Sequence, residues 1–179
     1  MRKKIFFAFF VFLATLAQIS FFPNLFPWGV SPDIVLMLVI IWSFEKKSEN
    51  VLIRSFFSGF ALDFVVGTPG LSAFSFLIVS SVITYLAKKF LVFQKFFSIF
   101  ILALLGIMGT IINFCVVNFI VSLEKLFFTA NNSWEMSLPS FNKLPLEILY
   151  NLIILEIFYW IFSKGKYFFG RREEVLKSK

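Results

Sequence analysis

Apolar runs separated by short basic clusters constrain the fold of this chain more than any other feature of its sequence. In residues 31–87 one apolar run begins at Pro32-Asp33, a basic turn follows, and two further apolar runs come next. Of the 179 residues, 59% are hydrophobic and only 15% are charged, so polar side chains are too few to cover a water-soluble domain of this size. The sequence therefore predicts one compact domain embedded in a membrane.

The apolar runs predict an all-α integral membrane bundle of about six transmembrane helices, followed by a basic cytoplasmic tail at residues 163–179. The predicted helices cover residues 5–22, 31–44, 51–66, 71–87, 97–123 and 144–162. The first run also fits a signal peptide, because it has a basic start and a small-residue stretch at Thr15-Leu16-Ala17. Its apolar character continues past that stretch to Phe22, and its length approaches the ~20 residues of a spanning helix, which favours a retained helix.

The positions of the basic residues predict the topology. With the amino terminus in the cytoplasm and six helices, only Lys125 and Lys143 of the 17 basic residues fall in outer loops. Cytoplasmic loops of membrane proteins carry the excess of Lys and Arg, so both termini are expected in the cytoplasm. The net charge of +7 is then explained by topology, and no nucleic-acid partner is predicted.

Two carboxylates mark the second and third predicted helices. Ser31-Pro32-Asp33 is a helix-start pattern, with Ser as N-cap, Pro at the first helical position and Asp in the first turn. In the third helix, Gly59 and Asp63 lie four residues apart and share one face, which indicates helix packing rather than lipid contact. The predicted topology places Asp33 and Asp63 at similar depth near the outer side.

Four polar residues inside the later apolar runs are further candidates for function: Asn113, Glu147, Asn151 and Glu156. Such groups line cavities or proton paths in transporters. Glu147 and Asn151 are four residues apart and share a face, whereas Glu156 lies about 180° around the helix from Glu147. For Glu156 a buried structural partner and a functional contact stay equally open.

Two carboxylates at one membrane level also fit an intramembrane aspartyl peptidase, in which one carboxyl group acts as the acid and the other as the base. The small intramembrane lipoprotein signal peptidases are of this kind, yet their catalytic aspartates sit in motifs that contain Asn. No Asn lies within a turn or two of Asp33 or Asp63, so no enzymatic activity is predicted. The chain has no His and a single Cys, Cys115, which excludes the usual zinc and haem ligand sets, and no cofactor or metal is predicted.

A distinctive pattern runs through the hairpin of residues 31–87. Pro32 and Asp33 open an apolar helix, and after a basic turn come Gly59, Asp63 and a turn that contains Gly67, Pro69 and Gly70, followed by Leu71. This pattern resembles the MreD family of rod-shape-determining membrane proteins. The resemblance is most specific there and is only compositional over residues 97–163. One departure is local, because the family commonly has a residue between the proline and the glycine of the turn, which are adjacent here.

This resemblance implies a non-enzymatic protein of the bacterial cytoplasmic membrane. It implies a partner like MreC, a single-span protein with a large external domain, and a role in coupling MreB filaments to the peptidoglycan synthases of cell elongation. The motif residues would then shape an outer corner where the partner docks. The family is also similar in fold to the substrate-binding components of energy-coupling-factor vitamin transporters, which keeps a ligand-binding alternative open. The bilayer is a further partner, and self-association stays open.

Overall fold

The computed structural model consists of helices throughout the part of the chain that it describes. The described backbone covers residues 2–26, 29–44, 50–68, 70–90, 94–127 and 140–177, and the described side chains cover 9–26, 29–44, 50–68, 70–89, 99–123 and 140–161. The helices are α1 (Arg2–Ser20), α2 (Phe22–Leu25), α3 (Ile34–Phe44), α4 (Val51–Val66), α5 (Leu71–Phe90), α6 (Gln94–Phe127) and α7 (Leu144–Lys177). A 3₁₀ turn, Phe141–Lys143, precedes α7. The predicted all-α class is confirmed.

Several helices are longer than the apolar runs from which they were predicted. Helix α4 has the predicted bounds, but α6 extends beyond 97–123 and α7 beyond 144–162. The predicted tail at 163–179 therefore begins inside α7, whose helical backbone continues to Lys177. The prediction ended each helix with its apolar run, whereas lysine and arginine are good helix formers and continue a helix beyond that point.

Helix α3 forms the centre of the bundle. It contacts α1, α4, α5, α6 and α7. Its side chains from Val35 to Ile40 are fully buried, and Ile34 and Ile41 are only 3% exposed. A helix that is apolar on every side has no polar face to turn toward water, so it is stable only where it is surrounded. The sequence of α3, which is apolar except for Ser43, thus accounts for its central position.

The outer surface of the bundle is apolar. Helix α4 presents Phe57, Phe60 and Phe64 outward, and Phe64 is 83% exposed. Large exposed aromatic side chains on a helix are unfavourable in water and favourable in lipid. Within the described residues, three helices are long and apolar enough to cross a membrane, at Leu71–Lys89, Ile99–Leu123 and Phe141–Ile161. These features indicate a membrane protein.

Candidate functional site

Asp63 joins the end of α4 to the start of α5. It is 4% exposed. Its Oδ1 accepts hydrogen bonds from Thr68 Oγ1 and from the backbone N–H of Ser72, both at 2.9 Å, and its Oδ2 accepts the N–H of Ala73 at 2.9 Å. The first N–H groups of a helix have no partner within the helix and attract negative charge. Asp63 therefore caps α5 from a neighbouring helix, in place of a local N-cap side chain.

The same residue also closes α4. The backbone carbonyl of Asp63 accepts the N–H of Gly67 at 2.8 Å and that of Thr68 at 3.1 Å. Gly67 has a φ of 81° and Gly70 has a φ of 79°, which are left-handed conformations that glycine adopts without steric cost. The left-handed glycine at the carboxyl end of α4 lets the chain reverse directly into α5. Pro69 of the predicted turn lies outside the described residues.

Gly59 lets α4 and α5 approach at the level of this cap. A Cβ atom added there would lie 2.6 Å from both the Cα and the N of Ala73, and 2.6 Å from the carbonyl carbon of Ser72. Backbone atoms cannot move aside as a side-chain tip can, so only glycine fits at this point. Ser55, one turn earlier on the same face, is also fully buried. The shared face of Gly59 and Asp63 thus packs against α5.

Asp33 caps α3. Its Oδ1 accepts the N–H of Leu36 at 3.0 Å, which is the geometry of an N-cap aspartate. The helix therefore begins later than the sequence pattern predicts. Asp33, not Ser31, is the N-cap, and the buried Pro32 precedes the helix instead of occupying its first position. Because a carboxylate is a strong acceptor for the free N–H groups of a first turn, its position decides where the helix begins.

Polar side chains from three other helices converge on this start of α3. Asn151 of α7 accepts the N–H of Asp33 at 2.7 Å through Oδ1, and its Nδ2 donates to Thr110 Oγ1 of α6 at 3.2 Å. Gln18 of α1 accepts the N–H of Val35 at 3.1 Å. We call Gln18, Asp33, Thr110 and Asn151 the polar cluster. It links α1, α3, α6 and α7, and Asn151 and Thr110 are buried.

Glu147 lies one turn before Asn151, is half-buried, and interacts electrostatically with Asp33. The predicted pair of Glu147 and Asn151 therefore faces the start of α3. Asn113 is separate from the polar cluster. It accepts a short hydrogen bond from Ser75 Oγ and so joins α6 to α5.

Glu156 is exposed, whereas the other acidic and amide candidates are buried or half-buried, namely Asp33, Asp63, Asn113, Glu147 and Asn151. Its neighbours on α7, Ile153, Ile157 and Trp160, are 49%, 48% and 60% exposed. Asp63 and Asn151, by contrast, are at most 4% exposed and are held by contacts within the chain. Glu156 is therefore the acidic candidate that this chain presents on its apolar outer surface.

Sequence reasoning located Asp33, Asp63 and Asn151 but not their partners. The backbone N–H groups of Ser72 and Ala73 carry no sequence signal, and Thr110 is a single hydroxyl within an apolar run. The indicator that was available is Gln18, a lone amide in an apolar run, because such a group needs a partner. Among the described residues, no group of three or more His, Cys, Asp or Glu side chains is placed to hold a metal ion.

Within the described part of the chain, Asp33 and Asp63 have no hydrogen-bond partner in common. Asp33 organises the start of α3, and Asp63 organises the α4–α5 turn. Asp33 thus caps α3, and Asp63 caps α5. No protein-family model matches this chain, and neither a curated protein nor a solved structure matches it.

Proposed function

We propose that this chain is a non-enzymatic, MreD-like component of the bacterial cell-elongation machinery. In this role it resides in the cytoplasmic membrane, binds an MreC-like protein, and helps to couple MreB filaments to peptidoglycan synthases. The observation that carries the proposal is the α4–α5 junction, because the residues of the resemblance that are described there have definite tasks. Gly59 permits the close helix contact, Asp63 caps α5, and Gly67 ends α4.

The bonding of Asp63 favours a structural role over acid–base chemistry. A catalytic carboxylate has to reach the proton that it transfers. Asp63 is 4% exposed, and three donors within the chain already engage its two oxygens. The contacts that hold the turn therefore leave neither oxygen of Asp63 available to a substrate.

We propose a topology of six membrane helices with both termini in the cytoplasm. The distribution of Lys and Arg supports it, since only Lys125 and Lys143 would lie in outer loops. In this arrangement the α4–α5 turn and the start of α3 lie toward the outer side. That side is where an MreC-like partner has its large domain.

Co-purification tests the proposal. The full-length chain, carrying an affinity tag, is expressed in a rod-shaped bacterium with its MreC-like protein and extracted in mild detergent. We expect the MreC-like protein to co-purify, and an unrelated single-span membrane protein, expressed at the same level, to be absent. Depletion of the chain is expected to turn rods into spheres.

The alternative of a vitamin transporter component makes different predictions. A small molecule would remain bound in native mass spectra, and the chain would co-purify with a pair of ATPase subunits instead of the MreC-like protein. Either result, together with unchanged cell shape on depletion, would contradict the proposed role in elongation.

A further inference from the structure

Helix α7 carries an exposed acidic residue inside a segment that is long and apolar enough to cross a membrane. Glu156 lies five residues before the end of the candidate span Phe141–Ile161. Among the residues whose side chains are described, Glu156 forms no hydrogen bond or ion pair. Ionisable side chains in membrane spans almost always face protein, water or a partner of opposite charge, because the hydrocarbon interior solvates them poorly. The position of Glu156 therefore calls for a partner outside the described residues.

The rest of α7 leaves room for such a partner. Only 11% of its candidate span is buried, compared with 39% for the spans of α5 and α6. Helix α7 packs on α3 and α6 through residues such as Leu155, which is fully buried. The opposite side of the helix is therefore open along most of its length.

The exposed side chains of α7 have the spacing of a helix-packing seam. Leu149, Ile153, Glu156 and Trp160 follow one another at intervals of four, three and four residues, and all four are exposed. Intervals of three and four residues keep side chains on one face of an α-helix, where they can line up against a second helix. We call these four residues the α7 seam. A seam with a single charged member selects its partner helix by the group opposite that charge.

We propose that the α7 seam binds a transmembrane helix of the MreC-like partner, and that a Lys or Arg side chain of that helix pairs with Glu156. The proposal rests on the proposed function and names the surface that serves it. A basic side chain supplies the charge complementarity that lipid lacks, and the three apolar seam residues supply packing contacts on both sides of the pair. This surface is distinct from the capped ends of α3 and α5, where Asp33 and Asp63 are already engaged.

A second copy of this chain is a poorer occupant of the seam. Among the described side chains, the basic residues of the candidate spans Leu71–Lys89 and Phe141–Ile161 lie near the ends of those spans, at Lys88, Lys89 and Lys143. Arg54 of α4 already takes part in an interaction within its own chain. A partner helix with its own basic residue therefore complements Glu156 better than a second copy does.

Co-purification of the full-length chain with the MreC-like protein tests the seam directly. Replacing Glu156 by Leu is expected to lower the yield of the MreC-like protein about tenfold, because a hydrogen-bonded pair between membrane helices is lost. Phe60→Leu, on the exposed face of α4, is the matched control and is expected to leave the yield unchanged. Glu156→Lys is expected to abolish the complex, and a Lys→Glu or Arg→Glu change in the partner's membrane helix is expected to restore it.

The outcomes separate this proposal from the proposed function. If the unmodified chain retains the MreC-like protein and Glu156→Leu retains it equally well, the seam is not the docking surface, while the proposed function stands. If the unmodified chain retains no MreC-like protein, both are overturned. A photo-crosslinking amino acid at Ile157 gives a second readout in intact membranes. Crosslinks to the MreC-like protein support the seam, whereas crosslinks only to a second copy, or none, overturn it.

Discussion

At the scale of single residues, the α4–α5 junction depends on one carboxylate and one missing side chain. Asp63 supplies acceptors for two N–H groups of α5 and for the Thr68 hydroxyl. Because Gly59 has no Cβ atom, the α5 backbone can approach it closely. A Cβ atom added there would lie only 2.6 Å from backbone atoms of α5. The two residues are one turn apart on the same face, so the close contact and the cap support each other.

Asp63→Asn keeps the shape of the side chain but replaces one acceptor oxygen by an NH₂ group. That group would face a backbone N–H of Ser72 or Ala73, or the Thr68 hydroxyl, and a buried donor would lose its partner. We expect the free energy of unfolding to fall by about 1–3 kcal/mol, measured by denaturant titration in detergent micelles. Glu156→Gln, on the exposed seam, is the control and is expected to change stability by less than about 0.5 kcal/mol. Equal stability of both variants would contradict the capping role.

Gly59→Ala tests the close approach of the two helices. The added methyl group meets backbone atoms of α5, so the helices have to separate and the cap at Asp63 has to lengthen. We expect a loss of about 1–3 kcal/mol in the same titration. Gly106→Ala is the matched control, because its methyl group would meet the Cδ2 tip of Leu155 at 2.5 Å, and a side-chain tip can rotate away. A larger loss for Gly106→Ala than for Gly59→Ala would contradict this reasoning.

At the scale of elements, α3 is unusual because it is short and almost entirely buried. It has 11 residues, which corresponds to a length of about 17 Å, whereas a bilayer core is about 30 Å thick. Its neighbours surround it, and the polar cluster supplies partners for the N–H groups at its start. The helix is therefore held by protein contacts along its length and at its amino end.

The hydrogen bonds of Asn151 are expected to couple α7 to both α3 and α6. Asn151→Leu removes the acceptor for the Asp33 N–H and the donor to Thr110, and we expect a loss of about 1–3 kcal/mol in stability. Thr110→Val removes only the second bond. In a double-mutant cycle the two changes are expected to be coupled by about 0.6 kcal/mol, a typical value between membrane helices. Strict additivity of the two losses would show that the Asn151–Thr110 bond makes no net contribution.

The helical elements and their buried faces could be predicted, but their junctions could not. Apolar runs located α4 and α5 closely, and the spacing of Gly59 and Asp63 identified a packing face. The start of α3 was predicted at residue 31, but the helix begins at Ile34. Ser31, Pro32 and Asp33 all favour a helix start, and only three-dimensional contacts select among them. The link from Asp33 to Asn151 spans 118 residues, and no local pattern encodes a contact at that separation.

At the scale of the whole molecule, the proposed topology can be tested by chemical labelling. In a Cys115→Ser background, we expect Ser133→Cys to react with a membrane-impermeant maleimide in intact cells, because the proposed topology places Ser133 on the outer side, between the fifth and sixth helices. Ser178→Cys is expected to react only after the cells are permeabilised. Labelling of both positions from the same side would contradict the six-helix arrangement.

Polar residues inside the bundle and Glu156 on its outer surface have different roles. Those that stabilise the fold, such as Asp63, Asn151 and Thr110, are buried and bonded within the chain. Glu156 lies on the exposed side of α7, away from the buried Asn151, and the proposed partner would reach it there. Loss of a buried group is therefore expected to lower stability, whereas loss of Glu156 is expected to lower complex formation and leave stability intact.

The central position of α3 has a consequence for biogenesis. Helix α3 is synthesised before α4, α5, α6 and α7, which together provide most of its surroundings. A nascent chain that has exposed only α1 to α3 to the insertion machinery holds a helix too short to be retained by lipid alone. The bond from Asp33 to Asn151 can form only after most of the chain has been translated. Final seating of α3 is thus a late step, and truncation before α7 is expected to send the nascent protein to quality-control proteolysis.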